Sequence, residues 1–182
     1  MADAKQGLLR ILLPEETIRQ RVRELGAEIT RDYQGREIFF LGVLKGCYVF
    51  MSDLVRCVDL PCMMDFMAVS SYGSRTSTTG AVKITKDLSQ DIEGRDVIIV
   101  EDILDSGVTL SYLKKYLAGR RPASIRIATL LDKPSRRKAD IAADYCGFSV
   151  PDEFVVGYGL DYAERYRNLP FIGVLKQEIY RK

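Results

Sequence analysis

The stretch Val97-Ile98-Ile99-Val100-Glu101-Asp102-Ile103-Leu104-Asp105-Ser106-Gly107-Val108-Thr109-Leu110 decides the reading of this chain. Its four opening aliphatic residues form the continuous apolar run of a strand buried on both faces, and Glu101-Asp102 ends the run abruptly. Leu110, Leu113 and Leu117 then mark a helix that stops at Gly119. Between strand and helix, Asp105 to Thr109 combine a glycine, two hydroxyls and successive backbone N–H groups, the composition of a phosphate cradle at a helix N-terminus. In an open parallel sheet, ligands bind outside the carboxyl ends of the strands, and here that edge carries two carboxylates. One end of the segment suits phosphate; the other presents anions able to accept hydrogen bonds from adjacent hydroxyls. A sugar phosphate fits both.

Outward from this segment, strands alternate with helices. Pro14 to Tyr33 carries Ile18, Val22, Leu25 and Ile29 on one helical face, with Pro14 as the first helical residue. Glu37 to Val43 reads as a strand, Tyr48 to Val58 as a helix and Pro61 to Val69 as a further strand. Ser70 to Gly80 is small and polar and reads as a mobile loop, and Ala81 to Leu88 as a hairpin-like arm. Asp96 to Val100 and Ile125 to Leu131 are buried strands, and weaker ones follow around Ala143 to Val150, Phe154 to Tyr158 and Phe171 to Leu175. This alternation predicts an α/β fold with a mainly parallel sheet, and no linker or repeat suggests a domain boundary.

Composition removes several chemistries. The 182 residues include no histidine, which excludes Ser-His-Asp and Cys-His catalysis and His-bearing zinc sites. Proton transfer must then fall to a carboxylate, Lys, Tyr or Cys. Cys47, Cys57, Cys62 and Cys146 show no CxxC spacing and read as structural thiols. Lys and Arg total 27 against 25 Asp and Glu, so net charge gives no case for nucleic-acid binding. The apolar stretch Leu8 to Leu13 is too short for a signal or span and contains Arg10, so a cytoplasmic location is expected. No Gly-Lys dipeptide exists for a P-loop, and Tyr162 replaces the third glycine that would complete a dinucleotide fingerprint after Gly157 and Gly159.

Glu101-Asp102-Ile103-Leu104-Asp105-Ser106-Gly107-Val108-Thr109 resembles the 5-phosphoribosyl-1-pyrophosphate (PRPP) motif of type I phosphoribosyltransferases, in the form used by the 6-oxopurine (hypoxanthine-guanine) branch. The resemblance runs from about Glu37 to Arg167, and Ser106 stands where many relatives carry Thr. It implies one domain over 1–182, with a core of about 37–140 and a small hood from the N-terminal segment and about 141–182. The implied activity is purine salvage: transfer of the phosphoribosyl group from PRPP to hypoxanthine or guanine, giving IMP or GMP and pyrophosphate, with Mg²⁺ as cofactor. Relatives form dimers and tetramers, so a homodimer or homotetramer is expected.

The resemblance also implies roles residue by residue. Glu101 and Asp102 meet the ribose hydroxyls and, with Asp161, the metal. Asp105 faces purine nitrogen 7 as general base and acid, while Ser106, Gly107, Val108 and Thr109 hold the 5′-phosphate. Lys45, Gly46 and Arg167 face pyrophosphate, and the Leu44-Lys45 peptide is implied to be cis. Lys133 reads the 6-oxo group, Phe154 stacks on the base, Val155 and Asp161 meet its edge, and Ser71 and Tyr72 start a closing lid. Arg136, Arg137 and Lys138 read as surface charge. Two alternatives remain: a non-catalytic regulator of the same fold that senses PRPP or nucleotides, and a xanthine-preferring transferase.

Overall fold

The computed structural model describes residues 6–71 and 82–181. The strands are β1 (Leu8–Leu13), β2 (Ile38–Leu44), β3 (Cys62–Ser71), β4 (Val82–Lys86), β5 (Asp96–Leu104), β6 (Ser124–Asp132), β7 (Tyr145–Ser149), β8 (Val155–Val156) and β9 (Ile172–Leu175). The helices are α1 (Glu15–Asp32), α2 (Tyr48–Val55), α3 (Val108–Ala118) and the short α4 (Gln177–Tyr180). Six strands form one sheet in the order β4-β3-β2-β5-β6-β7, parallel except for β4. A three-stranded antiparallel sheet, β1-β9-β8, forms the hood.

Alternation along the central strands divides the core between the two faces of the large sheet. Phe40, Ile98 and Val100 pack with Ile18, Val22, Leu25 and Ile29 of α1 and with Phe50 and Leu54 of α2. Phe39, Leu41, Val97 and Ile99 pack on the other face with Leu110, Leu113 and Leu117 of α3. Val97 to Val100 are fully buried, as a strand covered on both sides requires. Each such side chain contributes about 1.5–3 kcal/mol of burial free energy.

The strand order reverses between β2 and β5, because β3 continues to one side and β6 and β7 to the other. That switch point opens a crevice at the strand carboxyl ends. β2 pairs with β5 only as far as Val100, whereas β6 accompanies β5 through Leu104. Strand β5 therefore runs beyond the expected end at Val100, with Glu101 inside the ladder and one side of it open to the crevice.

Several sequence expectations shift. Pro14 is the extended cap residue before α1, one position ahead of the first helical residue. Helix α2 ends at Val55 because Cys57 N–H bonds Leu54 O at 2.9 Å and Val58 N–H bonds Val55 O at 3.3 Å, closing the last turn tightly before Pro61. Strand β7, expected with the hood, pairs with β6 in the large sheet, and α1 packs against α2 and β7, so β1 alone carries the N-terminal segment into the small sheet. The four cysteines are free, with Cys47 buried. No described helix is long and apolar enough to cross a membrane.

Candidate active site

The bend after β5 is shaped by Gly107, whose φ of +78° puts it in the left-handed region as the cap of α3. A Cβ there would also press on Ile141. The first N–H groups of α3 have no partners within their own helix and point toward the bend, a site suited to an anion. Ser106 Oγ lies 3.5 Å from Val108 N.

A neighbouring segment braces this bend. The Arg137 guanidinium donates to the carbonyls of Leu104 and Asp105 and pairs with the Asp132 carboxylate. Lys138 and Ala139 donate their N–H groups to Ser106 O at 2.9 and 3.2 Å. Arg137 is thus a structural support, and the expectation of free surface charge is corrected for it. Arg136 is also engaged: its Nε lies 2.7 Å from Asp105 Oδ1 and its Nη1 donates to Asp152 Oδ1 at 3.2 Å. Neither contact is legible in the sequence, because a run of basic residues looks the same whether solvated or tied to acids remote in sequence.

Two adjoining clefts meet at Asp102, Ile103, Asp105 and Asp161. The first, about 330 Å³, is lined by Lys45, Gly46, Glu101, Ser106, Thr109 and Arg167 among others. The second, about 280 Å³, adds Lys133, Arg136, Phe154, Val155 and Leu160. The residues expected to meet phosphate, pyrophosphate and purine thus line one continuous crevice. Val108 is on α3 with an exposed side chain, leaving its backbone as the group facing the bend. Ser71 ends β3, and Tyr72 lies outside the described residues.

Burial dominates the electrostatics of the acidic pair. Burial, reinforced by Asp102, holds the Glu101 carboxyl well above the usual range, and Glu101 Oε2 has no hydrogen-bond partner. Burial pushes Asp102 up to about 6, although N–H groups of the backbone and Arg167 oppose the rise. Opposite them, the peptide between Leu44 and Lys45 is cis, as the motif implied. A Cβ on Gly46 would collide with the Asp102 carboxylate, so this close approach needs glycine.

Arg167 is fixed by donating Nη1 to Gly159 O at 2.8 Å and pairing Nη2 with Asp161 Oδ1 at 2.9 Å. Asp161 also accepts from Glu164 N–H at 2.9 Å. Among the described residues, no group of three or more Asp, Glu, Cys or His could hold an ion alone. Glu101 and Asp102 are consecutive in β5, and Asp161, assigned with them to the surroundings of the metal, is paired with Arg167.

In the second cleft, Lys133 is buried and donates Nζ to Glu153 O at 2.6 Å, and burial lowers its pKa. Phe154 stacks on Tyr180 with centroids 4.7 Å apart and meets the edge of Tyr162 at 5.6 Å. Tyr162 and Tyr180 were not anticipated as supports, since α4 and the 157–169 turns reach Phe154 only through the hood.

Comparison with known proteins bears on this geometry. Residues 11–163 match the phosphoribosyl transferase domain. The chain is 58% identical to the hypoxanthine-guanine phosphoribosyltransferase of Bacillus subtilis, over 97% of this chain and 98% of that protein. It is 55% identical to the Staphylococcus aureus enzyme of the same name, over 95% and 97%. A crystal structure of a hypoxanthine phosphoribosyltransferase from Staphylococcus aureus superposes with a TM-score of 0.94 at 54% identity, covering 97% of this chain and 96% of that one. With the domain matched along most of its length and relatives this similar end to end, the chain belongs to the phosphoribosyltransferase family, in its hypoxanthine-guanine branch.

Proposed function

We propose that this protein transfers the 5-phosphoribosyl group of PRPP to nitrogen 9 of hypoxanthine or guanine, releasing pyrophosphate and forming IMP or GMP. The observation that carries the reading is the meeting of two clefts at Asp105: one with a helix N-terminus and cations, the other with a buried lysine and an aromatic wall. An anionic sugar donor fits the first and a flat oxo-bearing base the second.

The bend from Asp105 to Thr109 holds the 5′-phosphate through backbone N–H groups and the hydroxyls of Ser106 and Thr109. Glu101 and Asp102 accept from the ribose hydroxyls. Lys133, which has only donors to offer, suits a 6-oxo group and leaves a 6-amino group badly paired. Phe154 gives an apolar face to the base, while Val155 backbone groups and Asp161 meet its edge. Bond formation from nitrogen 9 to the anomeric carbon breaks that carbon's bond to pyrophosphate, whose oxygen leaves with the electron pair. Asp105 takes the proton released from the purine. Lys45, Arg167 and the Gly46 backbone receive the departing anion.

Buried beside Asp102 with Oε2 unpartnered, Glu101 has no protein group to compensate its charged form, a role that a Mg²⁺ ion carried by PRPP fits. Glu101 and Asp102 would hold that ion, directly or through water, and Asp161 would lie in its outer surroundings. When bound, the ion neutralises charge building on pyrophosphate.

We also place the protein in the cytoplasm, supported by its free thiols, and, from its family membership, as an assembly of two or four copies. Its sheet and hood act as a single domain. Incubation with PRPP, Mg²⁺ and equal hypoxanthine, guanine, xanthine and adenine tests the activity. Conversion of hypoxanthine and guanine, with adenine untouched, is expected. Preferential use of xanthine would reassign the base, and no conversion of any base would favour a PRPP-sensing regulator.

A further inference from the structure

Glu164 has no part in the reaction set out above, yet its carboxylate lies between the two cations assigned there to pyrophosphate. Oε2 is 3.0 Å from Lys45 Nζ, and Oε1 is 3.5 Å from Arg167 Nη2. Lys45 and Glu164 are 119 positions apart in sequence, so folding of the 157–169 turns against the β2 end brings them together. The chain adopts an unusual conformation to do so. Ala163 and Glu164 have φ of +50° and +63°, a region non-glycine residues rarely occupy. Asp161 pins the turn by accepting Glu164 N–H at 2.9 Å, and Tyr162 and Arg165 exchange backbone hydrogen bonds across it.

The site assigned to a leaving anion is thus already filled by an anion belonging to the chain. Lys45 and Glu164 are both well exposed, and an exposed ion pair is weak enough for a more highly charged ligand to displace. Pyrophosphate carries more charge than one carboxylate and can bridge both cations. The Lys45 hydrogen bond keeps the Glu164 carboxyl below its usual range, so it competes as an anion at neutral pH.

We propose that Glu164 is a built-in competitor of pyrophosphate, pairing with Lys45 and Arg167 in the free enzyme, yielding to PRPP or pyrophosphate, and returning as pyrophosphate leaves. The inference rests on the reading of Lys45 and Arg167 as the pyrophosphate end of the cleft. By weakening the grip on free pyrophosphate, Glu164 assists product release and sets the affinity for the sugar donor.

The test is calorimetric titration of the full chain with inorganic pyrophosphate in the presence of Mg²⁺, and separately with IMP. Glu164→Gln should bind pyrophosphate roughly two- to fivefold more tightly than the unaltered protein, the range expected for loss of an exposed ion pair, with IMP affinity unchanged. Glu93→Gln makes the same charge change at the opposite end of the sheet and should match the unaltered protein. Equal or weaker pyrophosphate binding by Glu164→Gln overturns the proposal. So does the same tightening in Glu93→Gln, which would reduce the effect to net charge. If the unaltered protein binds IMP and not pyrophosphate, the assignment of Lys45 and Arg167 fails as well.

Discussion

The guanidinium of Arg136 lies with Nε 2.7 Å from Oδ1 of Asp105, while its Nη1 reaches Asp152. The proposed proton acceptor is therefore paired by charge with a cation at the mouth of the base pocket, while its Oδ1 has no hydrogen-bond partner. Arg136→Gln should lower kcat about tenfold through lost orientation, with KM for PRPP unchanged and partial recovery in Arg136→Lys. Steady-state kinetics on the three proteins decides it; unchanged kcat would make the contact idle.

Asp105 itself should be harder to replace. Asp105→Asn keeps the size and polarity of the side chain but removes its proton-accepting carboxylate. Turnover should fall at least tenfold, within the usual worth of a general base, while calorimetry shows PRPP still bound. Near-normal turnover would remove the residue from the proton transfer.

Lys133 supplies a charged donor from a buried position. Lys133→Gln should cut kcat/KM for hypoxanthine by roughly 10- to 100-fold, the worth of a hydrogen bond to a charged group. Because a glutamine amide can also accept, the ratio of adenine to hypoxanthine use should rise. A loss shared equally by both bases would count against a role in reading position 6.

Asp65 ties β3 to the segment after β4. Its carboxylate accepts from Phe66 N–H at 2.7 Å, Ser89 N–H at 2.6 Å and Lys86 Nζ at 3.3 Å. Burial alone would raise its pKa, but these donors more than offset that and lower it. A depressed folded value means the stabilisation is full above the unfolded pKa of about 4 and fades as pH falls through the lower folded one. Asp65→Asn should cost about 2 kcal/mol at pH 7, roughly 5 °C in Tm, and the gap should shrink in urea titrations below about pH 4. A gap independent of pH would mean the charge is not what matters.

What the sequence disclosed was local. The run Val97 to Leu110 carries strand, bend and helix within consecutive residues, so its pattern alone places the phosphate-binding loop. Helix α1 was legible for the same reason, since Ile18, Val22, Leu25 and Ile29 repeat at the helical period. The hidden features join residues distant in sequence. The pairing of Leu8 with Leu175 builds the hood, Arg137 supports a carbonyl 32 positions earlier, and Glu164 reaches Lys45. None of these pairings is marked by periodicity or by a motif. The end of β5 is not legible because Glu101 and Asp102 look like residues that stop a strand, whereas β6 goes on pairing beside them.

A crystal structure with IMP bound tests the central claim most directly. The account predicts the 5′-phosphate against the N–H groups of residues 106–109, and the 6-oxo group within hydrogen-bond distance of Lys133 Nζ. Nucleotide density lying elsewhere, with the bend after β5 empty, would contradict it.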